Sequence, residues 1–386
     1  MTGFAAGLSE HPTSATAVEE AIGRVVEGLG RAYDNGGPPD LALLFVTPPH
    51  LRGLDDIAAA VMSALSPGTL IGCAAVSVVG GSREVETEPA VSLWAGHTGP
   101  VVPFHLTAAA SPEGPVFAGW PDQVPGDASA LLLLADPFTF PTDDFLAWVA
   151  GACPGLPVVG GMASAAQSPG GNRLVIDAAV HREGAVGAFL GPRVSVSTVV
   201  SQGCRPVGQP LVITRAEANV VFEMAGKPAI ERLQEVAASL TDEDRELLAR
   251  HVHLGRVIDE RKVDFERGDF LVRNVYAASP ELGYLAVGDA VAVGDNTQFH
   301  VRDATTADED LRQLMSGRSA DAALVFTCNG RGVNLFGEPD HDASVVSESL
   351  GGAPTAGMFC AGELGPVGGR NFVHGFTASV VLLSGA

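Results

Sequence analysis

Apolar positions along this chain fall into two spacings, and the order in which the spacings alternate outlines a fold. Val18, Ile22, Val25, Leu29 and Tyr33 recur every three to four positions. That spacing predicts a helix with one buried face, and Thr16 with Glu19 has the form of a capping box at its start. "DNGGPPD" then breaks the chain. "LALLFVTPP" is an unbroken apolar run ending in prolines, which predicts a buried strand entering a loop. "LDDIAAAVMSAL" returns to helical spacing through Ile57, Val61 and Leu65, with Asp55 and Asp56 in the first turn, where carboxylates suit the helix dipole. "TLIGCAAVSVVGGSREVE" reads as a strand and a hairpin, and "AVSLWA" as a further strand.

The same order recurs twice. "ALLLLADPFTFPTDDFLAWVAGACPG" predicts a strand, a proline loop and a helix capped by Thr142, followed by "LPVVGGMASAAQSPGGNR" and "GAVGAFL". "AALVFTCNGRGVNLFGEPDHDASVVSESLGG" does so again, followed by "APTAGMFCAGELGPVGGR" and "FTASVVLL". A glycine-containing turn is expected to follow the apolar strand in each copy, at Gly72, at Gly160 and Gly161, and at Gly357. Each copy ends in a Gly-Gly pair followed closely by arginine: Arg83, Arg173 and Arg370. Internal repetition of this kind is a strong architectural signal. The expected fold class is α/β: two domains with mixed sheets built from repeated strand–helix–strand–hairpin modules.

Between the second and third copies, "VSVSTVVSQGCRPVGQPLVITRAE" predicts two strands around a Gly-Cys-Arg-Pro turn. "KPAIERLQEVAASL" predicts a helix with Pro228 in its first turn. "LTDEDRELLARHVHLGRVIDERK" reads as a charged, exposed helical excursion, and "DFLVRNVYA" through "FHVRDA" as antiparallel β. A boundary near residue 200 would leave two modules in residues 1–200. Residues 201–386 would hold the third, together with the antiparallel β and the excursion.

Composition narrows the function classes. The chain has 386 residues, 46% of them hydrophobic, and a formal net charge of −22. So acidic a surface repels phosphate backbones and anionic lipid, so neither nucleic acid nor membrane is an expected partner. Cys73, Cys153, Cys204, Cys328 and Cys360 contain no CxxC pair, and the start of the chain lacks a signal-peptide pattern. Both favour a reducing, cytoplasmic setting. Walker A, HExxH, GxSxG and zinc-spaced Cys/His patterns are missing, so no cofactor is expected. His251 and His253, two apart on a helix, would point to different faces and be solvated. In "EPDHD", Asp342 would serve as an N-cap rather than a cation ligand.

Glu363 stands out. It is a lone carboxylate in the apolar, glycine-rich stretch "PTAGMFCAGELGPVGGR", where a charge must be hydrated or paired. Arg331, just past the strand of the same module, is the expected partner. Two alternatives stand: a structural ion pair, or a ligand-facing carboxylate that Arg331 orients. Backbone N–H groups near Gly72, Gly160, Gly161 and Gly357 would line a small-molecule pocket, or these glycines would serve close packing. Cys204 beside Arg205, and Cys328 near Asn329 and Arg331, would either be small buried residues or thiols activated by a neighbouring cation. Cys73 and Arg83 complete the candidate ligand-binding set.

These blocks resemble the FIST family. The N-terminal likeness runs through "LLFVTPPH", "TLIGCAAVSVVGGSREVETEPAVSL" and "LPVVGGMAS". The C-terminal likeness runs through "GCRPVG", "GKPAIERL", "TCNGRG", "GMFCAGELGP" and "VHGFTASVVLL". The resemblance implies FIST N- and C-terminal domains and small-ligand sensing in signal transduction, with amino acids or related polar metabolites as ligands. It implies no catalytic residue. Kinase, methyl-acceptor or F-box segments often fused to this unit do not occur here, so output is expected through a separate signalling partner. The rival classes are an enzyme on a small amide- or amine-containing metabolite, using Cys204, Cys328 or Glu363, and a protein-interaction scaffold with an exposed apolar patch.

Overall fold

A computed structural model describes residues 3–30, 37–262, 264–265 and 267–385. Tyr33 and the start of "DNGGPPD" lie outside the described residues. The chain forms two compact units: Met1–Val200 with Leu311–Val373 and Thr377–Ala386, and Ser201–Asp310 with His374–Phe376. The third copy therefore packs with the first two instead of forming a consecutive C-terminal half, and the antiparallel segment stands by itself as an insertion.

In the larger unit the chain runs β1 (Phe4–Ser9), α1 (Ser14–Leu29), β2 (Leu41–Val46), a 3₁₀ turn at Pro48–Gly53, α2 (Leu54–Leu65), β3 (Thr69–Ala74), β4 (Ser77–Gly80), β5 (Arg83–Glu86) and β6 (Val91–Gly96). Next come β7 (Val102–Ala109), β8 (Val116–Ala118), β9 (Ala130–Ala135), α3 (Thr142–Ala152), β10 (Val158–Met162), β11 (Leu174–Ile176), β12 (Ala179–His181), β13 (Ala185–Leu190) and β14 (Val194–Gln202). The smaller unit holds β15 (Cys204–Glu217), β16 (Val220–Met224), β17 (Lys227–Pro228), α4 (Ala229–Ser239), α5 (Asp242–Arg250), β18 (His253–Val257), β19 (Phe270–Ser279), β20 (Tyr284–Val287) and β21 (Asn296–Arg302). After α6 (Ala304–Met315) the chain continues through β22 (Ala322–Cys328), α7 (Val333–Phe336), α8 (His341–Ser349), β23 (Thr355–Cys360), β24 (Glu363–Val367), β25 (Arg370–His374) and β26 (Thr377–Gly385).

Three mixed sheets share one plan. Their orders are β1-β6-β2-β3-β11-β12, β8-β7-β13-β9-β10-β24-β25 and β14-β26-β22-β23-β4-β5. Each contains a parallel pair, β2 with β3, β9 with β10, and β22 with β23. Each is completed by a hairpin donated from another module: β4–β5 extends the third sheet, β11–β12 the first and β24–β25 the second. The link from the second parallel strand to its hairpin is only a two-residue turn in the first and third modules, whereas in the second it runs through residues 163–173.

Strand alternation sends every second residue inward. Leu41, Leu43 and Phe45 meet Leu132 and Leu134, Leu324 and Phe326 in one central core. The opposite faces are covered by helices, for example Ala42, Leu44 and Val46 by α1 and α2. All six positions of β2, β9 and β3 are buried, which is why these strands read as unbroken apolar runs.

The smaller unit is an antiparallel sheet, β15-β21-β18-β19-β20-β16-β17, that closes on itself through β15–β16. It packs α4 and α5 over its core. The helical excursion ends at Arg250, and the "HLGRV" segment is strand. Two N-caps also differ from expectation. The first helix starts at Ser14 with Thr13 as N-cap, and α3 has Pro141 there without a side-chain cap.

Candidate functional site

Gly72, Gly160 and Gly357 stand opposite Leu44, Leu133 and Val325, the fourth residues of β2, β9 and β22. A Cβ there would lie 2.3, 2.0 and 1.9 Å from the facing carbonyl oxygen. Glycine thus lets the central parallel pair close, which is the close-packing alternative. These positions sit within strands and are buried, rather than in turns at strand ends. A Cβ on Gly161 would press on the Cys360 thiol at 2.4 Å. Cys73 is buried with its sulfur 3.0 Å from that of Met358, and burial pushes its thiol pKa up.

Arg331 does not pair with Glu363. Its guanidinium is fully buried and grips Asp342, Nε to Oδ2 at 2.7 Å and Nη2 to Oδ1 at 2.8 Å. The Thr327 hydroxyl donates to the same carboxylate at 2.6 Å. Burial alone would raise the Asp342 pKa, but Arg331 outweighs it and holds the carboxyl well below the usual carboxylate range. Asp342 is therefore no N-cap; Asp340 holds that position on α8, with φ of 68°. Glu363 opens β24 opposite Gly161. It is fully buried, and its Oε2 accepts from the Thr377 hydroxyl at 2.7 Å and the Thr377 N–H at 3.2 Å. It ties the start of β24 to the start of β26, with β25 between them in sequence.

The β5 strand supplies two more carboxylates to the same neighbourhood. Glu86 accepts from Val333 N–H at 2.9 Å and Glu84 from Ala343 N–H at 2.9 Å. Asp340 answers by accepting from Glu84 N–H at 2.7 Å and pairing with Arg83 at 3.1 Å. Segment 331–344 is thus clamped to a hairpin more than two hundred residues distant in sequence. No signal short of the strand exchange could have revealed Glu84 and Glu86 as its holders.

Glu84 is buried, and its Oε2 has no hydrogen-bond partner among the described residues. Burial, then the Asp342 charge, raises its pKa to about 8. The folded state therefore binds this proton more tightly than the unfolded chain, whose value is near 4.5. The resulting stability is complete below pH 4.5 and lost as pH rises through about 8. The melting temperature should fall across that window, and Glu84→Gln, which keeps an acceptor for Ala343, should flatten the fall. An unchanged pH profile in the variant would contradict the assignment.

Beside this clamp lies a cleft of about 520 Å³ bordered by α1, β1, the β4–β5 turn and residues 352–355. Arg24, Arg83 and Glu10 line it, with the carboxylate of Glu10 3.6 Å from Arg83. Of the residues selected from the sequence, Arg83 is brought to this cleft, and Arg24 and Glu10 were missed because their surroundings look like ordinary solvated surface. A second cleft, of about 340 Å³, holds Asp143, Cys153, Arg370 and Asn371.

Burial bears on several of the residues selected from the sequence. Cys204 and Cys328 are 1% and 8% exposed, whereas Cys153 is half-buried, so their neighbouring arginines do not present accessible thiols. Arg205 is engaged by Asp244 and by Asp303 at 3.0 Å. Asn329 donates its N–H to the Cys360 carbonyl at 2.9 Å. His253 is buried in a strand rather than solvated, and burial, then Arg302, lowers its pKa to about 3. No group of three or more metal-ligating side chains occurs among the described residues.

Comparison with known proteins fits this architecture. The FIST N domain matches residues 40–227 and the FIST C domain residues 229–366. The chain belongs to the FIST family, whose domains are associated with small-ligand sensing in signal transduction. It is 40% identical over 383 residues to an uncharacterized protein of Mycobacterium tuberculosis strain H37Rv, covering 97% of this chain and 98% of that one. It is 40% identical over 367 residues to an uncharacterized protein of Mycobacterium bovis, covering 92% and 94%. No helix among the described residues is long and apolar enough to cross a membrane.

Proposed function

We propose that this chain is a small-ligand-binding sensory protein whose ligand is an amino acid or a related polar metabolite, bound in the Arg24–Arg83–Glu10 cleft. The observation carrying this reading is the charge pattern of the lining, two guanidiniums and one carboxylate around a 520 Å³ space. Guanidiniums suit a carboxylate, and Glu10 suits an ammonium group. A zwitterion has no net charge, so the −22 of the whole chain does not repel it as it would a dianion.

Arg83 also provides a route for output. It is shared between the cleft and Asp340. A ligand carboxylate that draws Arg83 away weakens the hold on segment 331–344, and a separate signalling protein would read the change. A thermal-shift screen of amino acids tests the reading. Ligand at 100 times its Kd should stabilise the fold by about 2.7 kcal/mol, and Arg24→Gln should abolish the response while leaving basal melting nearly unchanged. No response to any amino acid, or an equal response in the variant, would refute it.

A further inference from the structure

The second module carries a surface that neither the clamp nor the Arg24–Arg83–Glu10 cleft uses. β8 is the outermost strand of its sheet, paired on its inner side with β7. An outermost strand offers its other edge to an extended chain. Phe117, in the middle of β8, is turned toward α3, where its ring lies 5.2 Å from Phe145 and 5.8 Å from Trp148. Trp120, just past the strand, stands 4.8 Å from Trp148 and perpendicular to it. Strand alternation sends Val116 to the opposite face, where it is 57% exposed, and Trp148 is itself 39% exposed. Large apolar side chains left open at a sheet edge are what a contact surface presents.

Beside β8 lies a cleft of about 350 Å³ bordered by Ala109, Pro115, Pro141 and Asp144. Asp144 and Trp148 are four residues apart on α3, so both stand on one face of the helix. A slot with apolar walls, a carboxylate at its border and an open indole one turn away matches a guanidinium on an apolar stem. The neighbourhood repeats the charge. No lysine or arginine occurs from residue 84 to residue 172, while Glu113 in the β7–β8 turn, Asp122 just past Trp120, and Asp144 are exposed. Asp143 belongs to the other flank of α3, where it shares a cleft with Arg370. A second copy of this chain would bring its own net charge of −22 to these carboxylates, which disfavours self-association here.

We propose that the β8 edge and the adjoining face of α3 dock an extended, arginine-bearing segment of another protein, added as a strand beside β8. Every second side chain of such a segment faces α3. An arginine there enters the cleft at Asp144 or stacks on Trp148, and the apolar residues between the arginines cover Val116.

The probe is a blocked peptide of alternating arginine and leucine, added to the full-length protein at physiological ionic strength. The same peptide with glutamate in place of arginine, and free arginine, are the comparisons. The arginine peptide should bind and slow amide hydrogen exchange across Val116–Ala118, and neither comparison should slow it. Asp144→Asn and Trp148→Ala should each weaken peptide binding about twofold to fivefold. Glu246→Gln, at an exposed carboxylate of α5 in the smaller unit, should leave it unchanged. If Trp148→Ala fails to fold, Asp144→Asn still decides. Equal protection of β8 by free arginine would mean a small-molecule pocket, and equal loss in Glu246→Gln would mean general attraction to an acidic protein. Protection of β8 by a dimer of the protein alone would mean a second copy, and unchanged exchange with the peptide would mean that no strand is added. Each of these outcomes overturns the proposal. None of the readouts involves the Arg24–Arg83–Glu10 cleft, so the two sites stand or fall separately.

Discussion

Replacing Asp342 with asparagine should lower stability by about 3–5 kcal/mol, because it leaves a buried guanidinium without its counter-charge. Arg331 is 0% exposed and Asp342 1% exposed, so water cannot take over the lost contact. Asparagine can still accept from Thr327 or from one arm of the fork, but it supplies no charge. Phe336 lies 5.2 Å from the Arg331 guanidinium and would not compensate by its ring face alone. Urea unfolding of the variant measures the cost. The double replacement Arg331→Met with Asp342→Leu should recover most of it, since a buried ion pair exchanged for packed apolar groups is often neutral. A loss below about 1 kcal/mol in the single variant would mean that Arg331 finds another partner.

That ion pair also marks where reading the sequence stops. Strand and helix spacing, the α/β class and the order of elements are local properties, and "LALLFV", "ALLLLA" and "AALVFTC" declare them openly because both faces of each strand are covered. The partner of a buried charge is a tertiary property. Glu363 and Arg331 lie in one module, which suggested a pair, but Thr377 reaches the carboxylate first and Asp342 lies closer to the guanidinium. Glu84 and Glu86 come to segment 331–344 only because the β4–β5 hairpin leaves its own sheet for another. Pattern along the chain does not say which sheet a hairpin will join. The smaller unit is legible as antiparallel strands, yet "HVHLGRV" reads as helix because the charged residues of α5 run into it without a break.

Alanine at Gly72, Gly160 or Gly357 should damage the fold far more than alanine at an open glycine. At each, the added methyl meets a backbone carbonyl across the parallel pair, at 2.3, 2.0 and 1.9 Å. A flexible side chain could turn aside, but a strand backbone yields only by breaking its ladder. Overpacking of this kind costs about 1–3 kcal/mol where neighbours can shift, and more where they cannot. Gly160 adds a φ of 133°, which an L-residue adopts only with strain of about 1–3 kcal/mol, so it should be the worst of the three. Gly23, exposed within α1 and with nothing within 4 Å of its added Cβ, is the control. Its replacement by alanine should stabilise the protein by about 0.5–1 kcal/mol through helix propensity. Thermal melts of the four variants separate the cases. If Gly357→Ala melts with the wild type, the third sheet does not close as tightly on its parallel pair as the first two. Loss at all three with gain at Gly23 is what a strand pair used three times in one core requires.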